Sequence, residues 1–186
     1  MKKFSLLFCL FITAFFTSEM KAQVDVSINP IGLLFGDLSV GVDFVVDEKF
    51  SIEGSVGFGN NKISGIKGNN LGVNGVGKYY FSPSRGADRF YADVFLRYIG
   101  RSWNYDDNSS FADFRTNRVG IGFGIGYKVV SAGNFVFDIG FGAGRAIVDK
   151  NTYSDSNGTR QEVDWPNIMF QGKLGLGYRF GGDSRK

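Results

Sequence analysis

The stretch from Arg118 to Ile147 alternates large apolar side chains with glycines or charges in strict period two. Every second residue from Val119 to Val129 is apolar, and the residues between them include four glycines. After Ser131 to Asn134, which has the composition of a turn, the alternation resumes from Phe135 to Ala143. Because period-two alternation predicts strands, this stretch predicts a β-hairpin with one apolar face and one small or polar face.

The first 22 residues have the layout of a secretory signal. Met1 to Lys3 is basic, Phe4 to Phe16 is an apolar run too short to span a membrane as a helix, and Thr17 to Ala22 is polar with small residues. We expect cleavage near Ala22, which leaves residues 23–186 as one barrel domain. The single cysteine, Cys9, lies inside the apolar run, so lipidation is not expected and the mature chain has no thiol.

Composition limits the classes of function open to the chain. The whole chain has a net charge of +3, and the segment to Ala22 carries +2 of it, which leaves a net charge of +1 for the remainder. That charge provides no footprint for nucleic acid. Glycine is abundant, at 27 residues, yet it follows no collagen period, and no stretch after Gln23 is long and apolar enough for a membrane-spanning helix. If the mature chain crosses a membrane, it must therefore do so as a closed β-barrel.

Eight segments after the signal repeat the alternation and predict eight strands. Their apolar series run over Val24–Ile28, Leu38–Val46, Phe50–Phe58, Leu71–Phe81, Phe90–Tyr98, Val119–Val129, Phe135–Ala143 and Ile168–Phe180. In the first strand the apolar parity changes after Pro30 and continues at Ile31, Leu33 and Phe35, which predicts a bulge at the proline. The fifth strand is expected to end at about Trp103.

The connections between these strands alternate in length. Short turns are predicted around Asp47, Pro83 and Ser131, longer polar loops at Asn60 to Asn70, Tyr105 to Thr116 and Asp149 to Asn167, and one further short connection at Gly36-Asp37. Short turns on one rim and longer loops on the other are typical of transmembrane barrels. The sequence therefore predicts an all-β fold, an eight-stranded antiparallel up-and-down transmembrane β-barrel.

Period-two alternation alone also fits a soluble barrel such as a lipocalin. The second parity favours the membrane, because it consists largely of glycine and serine with isolated charges and is too small to make a solvated shell. The aromatic residues occur at two heights along the strands, as they do at the two interfaces of a bilayer. The belt beside the short turns comprises Phe44, Phe50, Tyr79, Phe81, Phe90, Tyr127, Phe135 and Phe180, and the other comprises Phe58, Tyr98 and Trp103.

With its export signal, its alternating strands and its final strand from Leu174 to Phe180, the chain resembles the small outer-membrane barrels of double-membrane bacteria, the OmpA transmembrane domain and OmpX-like group. Asn29 to Gly36 also resembles the first strand of bacterial barrel families to which no activity is assigned. The resemblance implies insertion into outer-membrane lipid by the barrel-assembly machinery, which reads a terminal aromatic residue such as Phe180.

The polar parity of the strands places eleven charged side chains in the predicted lumen. They are Asp43, Glu53, Lys78, Asp93, Arg97, Arg101, Arg118, Lys128, Asp138, Lys173 and Arg179. Unpaired charges cost free energy at low dielectric, so we expect cross-strand ion pairs that fill the lumen. The four carboxylates fall in the half beside the short turns, together with Lys78, Arg97, Lys128 and Lys173.

The glycines of the hairpin at Arg118 to Ile147 have a predicted role inside the same lumen. Gly120 to Gly126 and Gly140 to Gly144 present no side chain, so they are expected to make room for Arg97, Phe95 and Tyr91 from the neighbouring strand.

Several kinds of chemistry lack the residues they require. The chain contains no histidine, whereas outer-membrane barrel lipases, acyltransferases, deacylases and proteases resemble one another in using one as general acid or base. Beyond the signal there is neither cysteine nor histidine, the usual ligands of zinc. Gly120-x-Gly122-x-Gly124 lies within a strand. A nucleotide-binding loop has the spacing G-x-G-x-x-G, and the third glycine of that spacing is missing here. The sequence therefore predicts no enzyme, no cofactor and no metal site.

The sequence points to a monomeric, non-enzymatic outer-membrane protein that serves envelope integrity or surface interaction. Its loops at residues 60–70, 105–116 and 149–167 would meet any surface ligand. Two alternatives remain open at this level. One is a narrow channel for small solutes or ions lined by the lumen charges, and the other is a soluble periplasmic, lipocalin-like binder of an apolar ligand.

Overall fold

The computed structural model describes residues 23–34, 36–63, 66–105, 111–155, 160–162 and 166–181. The predicted signal at residues 1–22 lies outside them. The elements in chain order are β1 (Gln23–Ile28), α1 (Pro30–Leu34), β2 (Asp37–Val45), β3 (Phe50–Ile63), β4 (Ile66–Tyr80), β5 (Arg89–Tyr105), β6 (Phe111–Val130), β7 (Phe135–Asp155), β8 (Arg160–Glu162) and β9 (Ile168–Phe180).

The strands form a closed antiparallel ring. Neighbours along the chain pair from β1 to β7, β7 pairs with β9, and β9 returns to β1, with Val24 opposite Phe180. The three residues of β8 pair with the far end of β7 and add a short ladder outside the ring. The wall therefore has eight strands, and the predicted eight-stranded antiparallel barrel is confirmed.

The two ends of the barrel differ. The connections at residues 46–49, 81–88 and 131–134 lie at one end, which we call the short-turn rim. The other end, where β3 leads to β4, β5 leads to β6 and β7 leads through β8 to β9, is the long-hairpin rim. The predicted contrast in length is not found, because eight residues separate β4 from β5 at the short-turn rim, whereas two separate β3 from β4 and five separate β5 from β6 at the other rim.

The apolar parity of the strands faces outward. On β6, Phe123 is 72% exposed and Ile121 and Ile125 are also exposed, whereas Gly122 and Lys128 on the other parity are buried. Successive side chains of a strand point to opposite sides of the sheet, and the interior of an eight-stranded barrel has little more than side-chain room. Most large apolar side chains therefore cover the outside, while small and charged side chains, together with the aromatic residues Tyr80, Tyr91 and Phe95, fill the lumen.

The predicted bulge at Pro30 is wrong, because the chain forms the short helix α1 there. The side-chain oxygen of Asn29 accepts hydrogen bonds from the backbone N–H groups of Ile31 (3.1 Å) and Gly32 (3.3 Å). Asparagine as N-cap followed by proline at the first helical position is a strong helix start, since proline has no N–H to satisfy. No helix among the described residues is long and apolar enough to cross a membrane.

The described parts of the three predicted loops at residues 60–70, 105–116 and 149–167 are largely strand, and residues 64–65, 106–110, 156–159 and 163–165 lie outside the described residues. β3 continues to Ile63 and β4 begins at Ile66, while β5, β6 and β7 reach 17, 20 and 21 residues. A membrane-crossing strand needs about 9–11 residues. The ladder satisfies the backbone hydrogen bonds whatever the side chains are, so a polar composition beyond the apolar band does not end the strand.

A bulge in β7 changes the parity of the long hairpin between β6 and β7. Val119 pairs with Val148 and Gly120 with Ala146, so Ile147 is an extra residue and both Ile147 and Val148 are exposed. Beyond the bulge, Asp149 pairs with Arg118 of the lumen parity. Trp103 was predicted to belong to the second aromatic belt, together with Phe58 and Tyr98, and this prediction is wrong. Trp103 on β5 pairs with Phe114 and has the parity of the lumen-facing residues, not that of the lipid-facing ones.

Candidate functional site in the barrel lumen

Lys78, on the inward side of β4, is the centre of a charged cluster near the short-turn rim. Its Nζ lies 2.8 Å from Oδ2 of Asp43 and 3.0 Å from Oδ2 of Asp138, and it also contacts the carboxylate of Glu53. The residue is only 2% exposed. These partners come from β2, β7 and β3, so one ammonium group joins strands on opposite sides of the barrel.

Lys128 and Arg179 extend this cluster toward β1 and β9. Nζ of Lys128 lies 2.8 Å from Asp25 and 2.6 Å from Asp43. The guanidinium of Arg179 donates from Nε and Nη2 to the two oxygens of Asp25, at 2.6 and 2.8 Å. Such bidentate pairs are among the strongest polar contacts, because both partners are charged and their geometries match.

Lys173 closes the set by contacting Glu53 and Asp138. We call these eight side chains the ion-pair network: Asp25, Asp43, Glu53, Asp138, Lys78, Lys128, Lys173 and Arg179. Four carboxylates meet four cations, so the network is formally neutral. Burying a charge is tolerated when it is paired and hydrogen-bonded, as it is for each member here.

Asp25 is missing from the eleven lumen residues predicted from the sequence, yet it pairs with Lys128 and Arg179. The signal that finds it is the alternation of Val24, Asp25 and Val26, which gives Asp25 the polar parity. Pairing of the first strand with the last places it between Asp43 and Arg179 in adjacent strands.

Oxygen atoms of Asp43, Glu53 and Asp138 lie within 4.8 Å of one another, a spacing that would suit a cation. Nζ of Lys78 contacts all three carboxylates and Lys173 contacts two of them. An ammonium group thus takes the position that a metal ion would need.

Two tyrosines pack beneath the ion-pair network. Tyr91 Oη donates to Oδ1 of Asp138 at 2.7 Å, and its ring lies 5.3 Å from that of Tyr80. Lys78 and Lys128 lie over the rings of Tyr91 and Tyr80, at 5.1 and 5.4 Å from the ring centroids. Both tyrosines are buried, so cation–π contacts support the ammonium groups from the side that the carboxylates leave open.

The connection between β4 and β5, residues 81–88, folds against the short-turn end of the lumen. Arg179 Nη1 donates to the carbonyl of Arg85 (2.8 Å), Nη2 donates to that of Ala87 (3.3 Å), and the N–H of Ala87 donates to the carbonyl of Glu48 (2.8 Å). Ala87 and Asp88 are buried, and Asp88 accepts a hydrogen bond from the N–H of Arg85. We call this segment the cap, because Arg179 ties it to the ion-pair network.

Four of the predicted lumen charges lie outside the ion-pair network. Arg118 pairs with Asp149 at 2.9 Å near the long-hairpin rim, and Arg101 is exposed. The expected ion pairs of Asp93 and Arg97 are not formed with any described residue. Asp93 packs against Gly124, which has no side chain to donate a hydrogen bond, and Arg97 Nη1 donates instead to the backbone carbonyl of Phe170 at 3.0 Å.

Above the ion-pair network the lumen contains a cavity of about 170 Å³, which we call the vestibule. Glu53 and Lys173 line its lower part, and Asn29, Asp37 and Asn70 line it near the long-hairpin ends of their elements. Its wall also includes Ser55, Gly72, Asn74, Arg97, Arg101 and Gln171. The lumen is therefore filled at one end and hollow at the other.

The glycines of β6 and β7 pack against large side chains, as predicted for two of the three partners. A Cβ at Gly122 would lie 2.3 Å from Cζ of Phe95, and one at Gly126 would lie 2.3 Å from Tyr91. At Gly120 the neighbour is Sδ of Met169, at 2.2 Å, in place of the predicted Arg97. At these glycine positions β6 and β7 present no side chain to the lumen, and Phe95, Tyr91 and Met169 occupy the space.

Comparison with solved structures supports the architecture. The fold is similar to that of a major outer membrane protein from Thermus thermophilus, with a TM-score of 0.54 and 15% sequence identity over 86% of this chain and 98% of that chain. At that identity the likeness shows a shared fold. No curated protein matches the chain. Residues 5–178 match the family described as a protein of unknown function, DUF3575, and the chain belongs to that family.

Proposed function

We propose that this chain is a non-enzymatic protein of the bacterial outer membrane, a barrel closed at the short-turn rim that presents its long hairpins outside the cell. The observation that carries the proposal is the ion-pair network with its cap. Eight charged side chains, two buried tyrosines and a folded connection occupy one end of the lumen. A barrel filled in this way serves as a membrane-anchored scaffold for what lies at its other end.

The outer surface supports a place in lipid. Apolar side chains are exposed on every strand of the wall, including Ile52, Leu96, Ile121, Phe141, Phe170 and Leu176. Soluble monomers rarely expose a continuous apolar surface of this extent. Near the short-turn rim, the exposed rings of Phe50, Tyr79, Phe81 and Phe90 follow one another at centroid distances of 5.0, 5.2 and 5.6 Å, as an aromatic girdle at a bilayer interface does.

The same surface argues against the lipocalin-like alternative. A soluble binder of an apolar ligand keeps its apolar side chains inside the barrel, whereas here the lumen holds Lys78, Lys128 and Asp138 and the apolar parity faces outward. The structural neighbour, a major outer membrane protein, supports a membrane setting for this fold.

The parts of the chain that would meet a surface partner are the ends of the long hairpins. β6 and β7, with 20 and 21 residues, extend well past the length that crosses a bilayer. Trp103, Phe114 and Tyr153 lie in one cross-strand row there, on the lumen parity. Envelope integrity or surface interaction is the role that such projecting hairpins support.

Cell fractionation and electrophoresis test the membrane assignment. We expect the protein in the outer-membrane fraction, released by detergent, with a folded band that shifts on heating. Release by osmotic shock without detergent would contradict the proposal.

Planar-bilayer recording tests closure and separates the scaffold from a narrow channel. We expect no unitary conductance from the purified protein, because the ion-pair network and the cap fill the lumen. A reproducible conductance altered by Arg97→Ala, with Arg115→Ala as the control outside the lumen, would favour the channel.

A further inference from the structure

We propose that the vestibule is a binding site for a small solute that carries an oxyanion, a carboxylate or phosphate group, held by Arg97 and Arg101. This goes beyond the scaffold role, since it assigns a ligand class to the hollow half of the lumen. The ligand is a free solute and not a lipid headgroup, because the barrel wall separates the vestibule from the bilayer.

The space for a ligand is built into the wall. A Cβ at Gly72 would meet no atom closer than 4.0 Å, in contrast to the lumen-facing glycines of β6 and β7, where it would meet atoms at 2.2 to 2.9 Å. Ser27, Ser39 and Ser55 keep the remainder of that side of the lumen low in side-chain volume. The cavity of about 170 Å³ is well above the roughly 10–15 Å³ that a single water needs on the same measure.

The charge of the vestibule selects an anion. Glu53 is already engaged by Lys78 and Lys173, and Asp37 accepts a hydrogen bond from Asn70 at 2.7 Å. Arg97 and Arg101 also line the cavity, and neither forms an ion pair with a described residue. Asp37 offsets one of the two arginine charges, since a hydrogen bond from a neutral amide does not neutralise a carboxylate, so two arginines and one aspartate leave a net charge of +1 for an anionic solute.

The hydrogen-bonding capacity of Arg97 is also unused in part. A guanidinium has five N–H donors, and the described contacts of Arg97 comprise one bond, from Nη1 to the carbonyl of Phe170. Its buried Nε has no acceptor within the described part of the chain. Buried donors of this kind are normally satisfied, by protein, water or ligand, and an oxyanion is the strongest acceptor for a guanidinium.

Two buried acceptors on the same cavity extend the expected ligand. Oδ1 of Asn74 and Oε1 of Gln171 have no donor among the described residues, and both side chains line the vestibule. They suit a hydroxyl group, which donates one hydrogen bond. The geometry thus points to a small hydroxylated solute with one carboxylate or phosphate group.

The first test uses inorganic phosphate as the probe. Full-length protein, purified in a phosphate-free maltoside detergent, is titrated with phosphate at constant ionic strength while the arginine side-chain N–H signals are followed by NMR. We expect saturable shifts of the Arg97 Nε–H signal and an unchanged Arg115 signal, since Arg115 is exposed and on the outward parity. A linear response at all arginines would overturn the proposal.

Variants give the second test. Arg97→Gln and Arg101→Gln should each weaken phosphate binding by about tenfold or more, as expected for the loss of a charge-assisted hydrogen bond. Arg115→Gln removes the same charge outside the vestibule and should leave binding unchanged. Equal weakening by all three variants would show general charge attraction and contradict the site.

Folding is controlled separately. Each variant is first shown to retain the heat-shifted band, and if Arg97→Gln loses it, Arg101→Gln decides the matter because its side chain is exposed. Phosphate binding and membrane location are measured independently. Failure of one therefore leaves the other standing.

Discussion

The two halves of the lumen contain the same kinds of charged side chain and pair them differently. Near the short-turn rim, four carboxylates and four cations contact one another at distances such as the 2.6 Å between Lys128 and Asp43. In the vestibule, Arg97 and Arg101 have no described carboxylate partner. Charges that are paired within the protein stabilise its fold, whereas unpaired charges beside a cavity are available to bind a ligand.

The glycines divide the barrel in the same way. On β6 and β7 they let Phe95 and Tyr91 approach the wall, since a Cβ at Gly122 or Gly126 would lie only 2.3 Å from these side chains. On β4, Gly72 borders empty space instead. Glycine thus allows close packing on one side of the lumen and leaves a cavity on the other. The side chains of the neighbouring strand determine which of the two occurs.

The largest effect is expected from removal of the cation at the centre of the ion-pair network. Lys78→Met leaves Asp43, Glu53 and Asp138 close together with Lys128 and Lys173 as their remaining cations. Loss of one partner of a buried ion pair costs about 3–5 kcal/mol. We expect the free energy of unfolding in lipid vesicles, measured by urea titration of the heat-shifted band, to fall by that amount.

Arg101→Met is the matched control in the vestibule, because it removes one positive charge from an exposed side chain of the same lumen. It should change the free energy of unfolding by less than about 0.5 kcal/mol. Equal effects of Lys78→Met and Arg101→Met would mean that the halves do not differ.

The next effect is steric and compares two glycines on the lumen parity. At Gly122 a methyl group would lie 2.3 Å from Phe95 and 2.5 Å from the carbonyl oxygen of Ala143, and backbone cannot yield as a side chain can. Gly122→Ala should cost about 1–3 kcal/mol of overpacking, and Gly122→Leu should prevent assembly.

Gly72→Ala is the control, since its methyl group would enter the vestibule without a clash. We expect it to fold like the wild type, as judged by yield and heat shift of the band. If Gly122→Leu behaves like the wild type, the barrel wall can move to accommodate the leucine. The close packing of β6 against Phe95 then does not limit the size of the side chain at this position.

Alternation in the sequence was sufficient to predict the barrel, its faces and most of the network. Parity assigned Lys78, Lys128 and Asp138 to the lumen, because strand geometry leaves each side chain one of two directions. Ion-pair partners were harder to predict, since they depend on how far side chains reach across the ring. Asp93 and Arg97, four residues apart on one strand, show this: their parity is as expected, and neither forms its predicted pair with a described residue.

The hairpin lengths and α1 were missed for a different reason. A polar composition predicts a loop. Residues such as Asn69 and Thr116 nevertheless continue the strands, because neighbouring strands satisfy their backbone hydrogen bonds. The bulge at Ile147 leaves no mark in the alternation, so the pairing of Asp149 with Arg118 could not be read from the sequence.

A third prediction concerns the cap. In Arg179→Gln the two hydrogen bonds to Asp25 and those to the carbonyls of Arg85 and Ala87 are lost or weakened. Hydrogen bonds to charged groups contribute about 1.5–3 kcal/mol, so the cap should open more often. Trypsin, which cleaves after arginine, should then cut at Arg85 faster in the variant than in the wild type, as followed by mass spectrometry of the detergent-purified protein.

A second cleavage site provides the control for that prediction. Arg115, exposed on the outward parity of β6, is outside the cap, and its cleavage should proceed at the same rate in both proteins. Faster cleavage at both sites would indicate general unfolding and would remove the evidence that Arg179 holds the cap.

The smallest expected effect is that of Asp93→Asn, set against the same substitution at Asp138. Asp138 contacts Lys78 and Lys173 and accepts a hydrogen bond from Tyr91, whereas Asp93, also buried, forms no ion pair with a described residue and one of its oxygens has no donor there. Asp138→Asn should destabilise by about 3–5 kcal/mol, because it leaves buried cations without a partner. Asp93→Asn removes a charge that no described residue neutralises by contact, so the free energy of unfolding should change by less than about 0.5 kcal/mol or rise. If urea titration shows equal losses for both variants, Asp93 balances the network over a distance, and the boundary between the matched and unmatched halves of the lumen lies above Asp93, closer to Arg97.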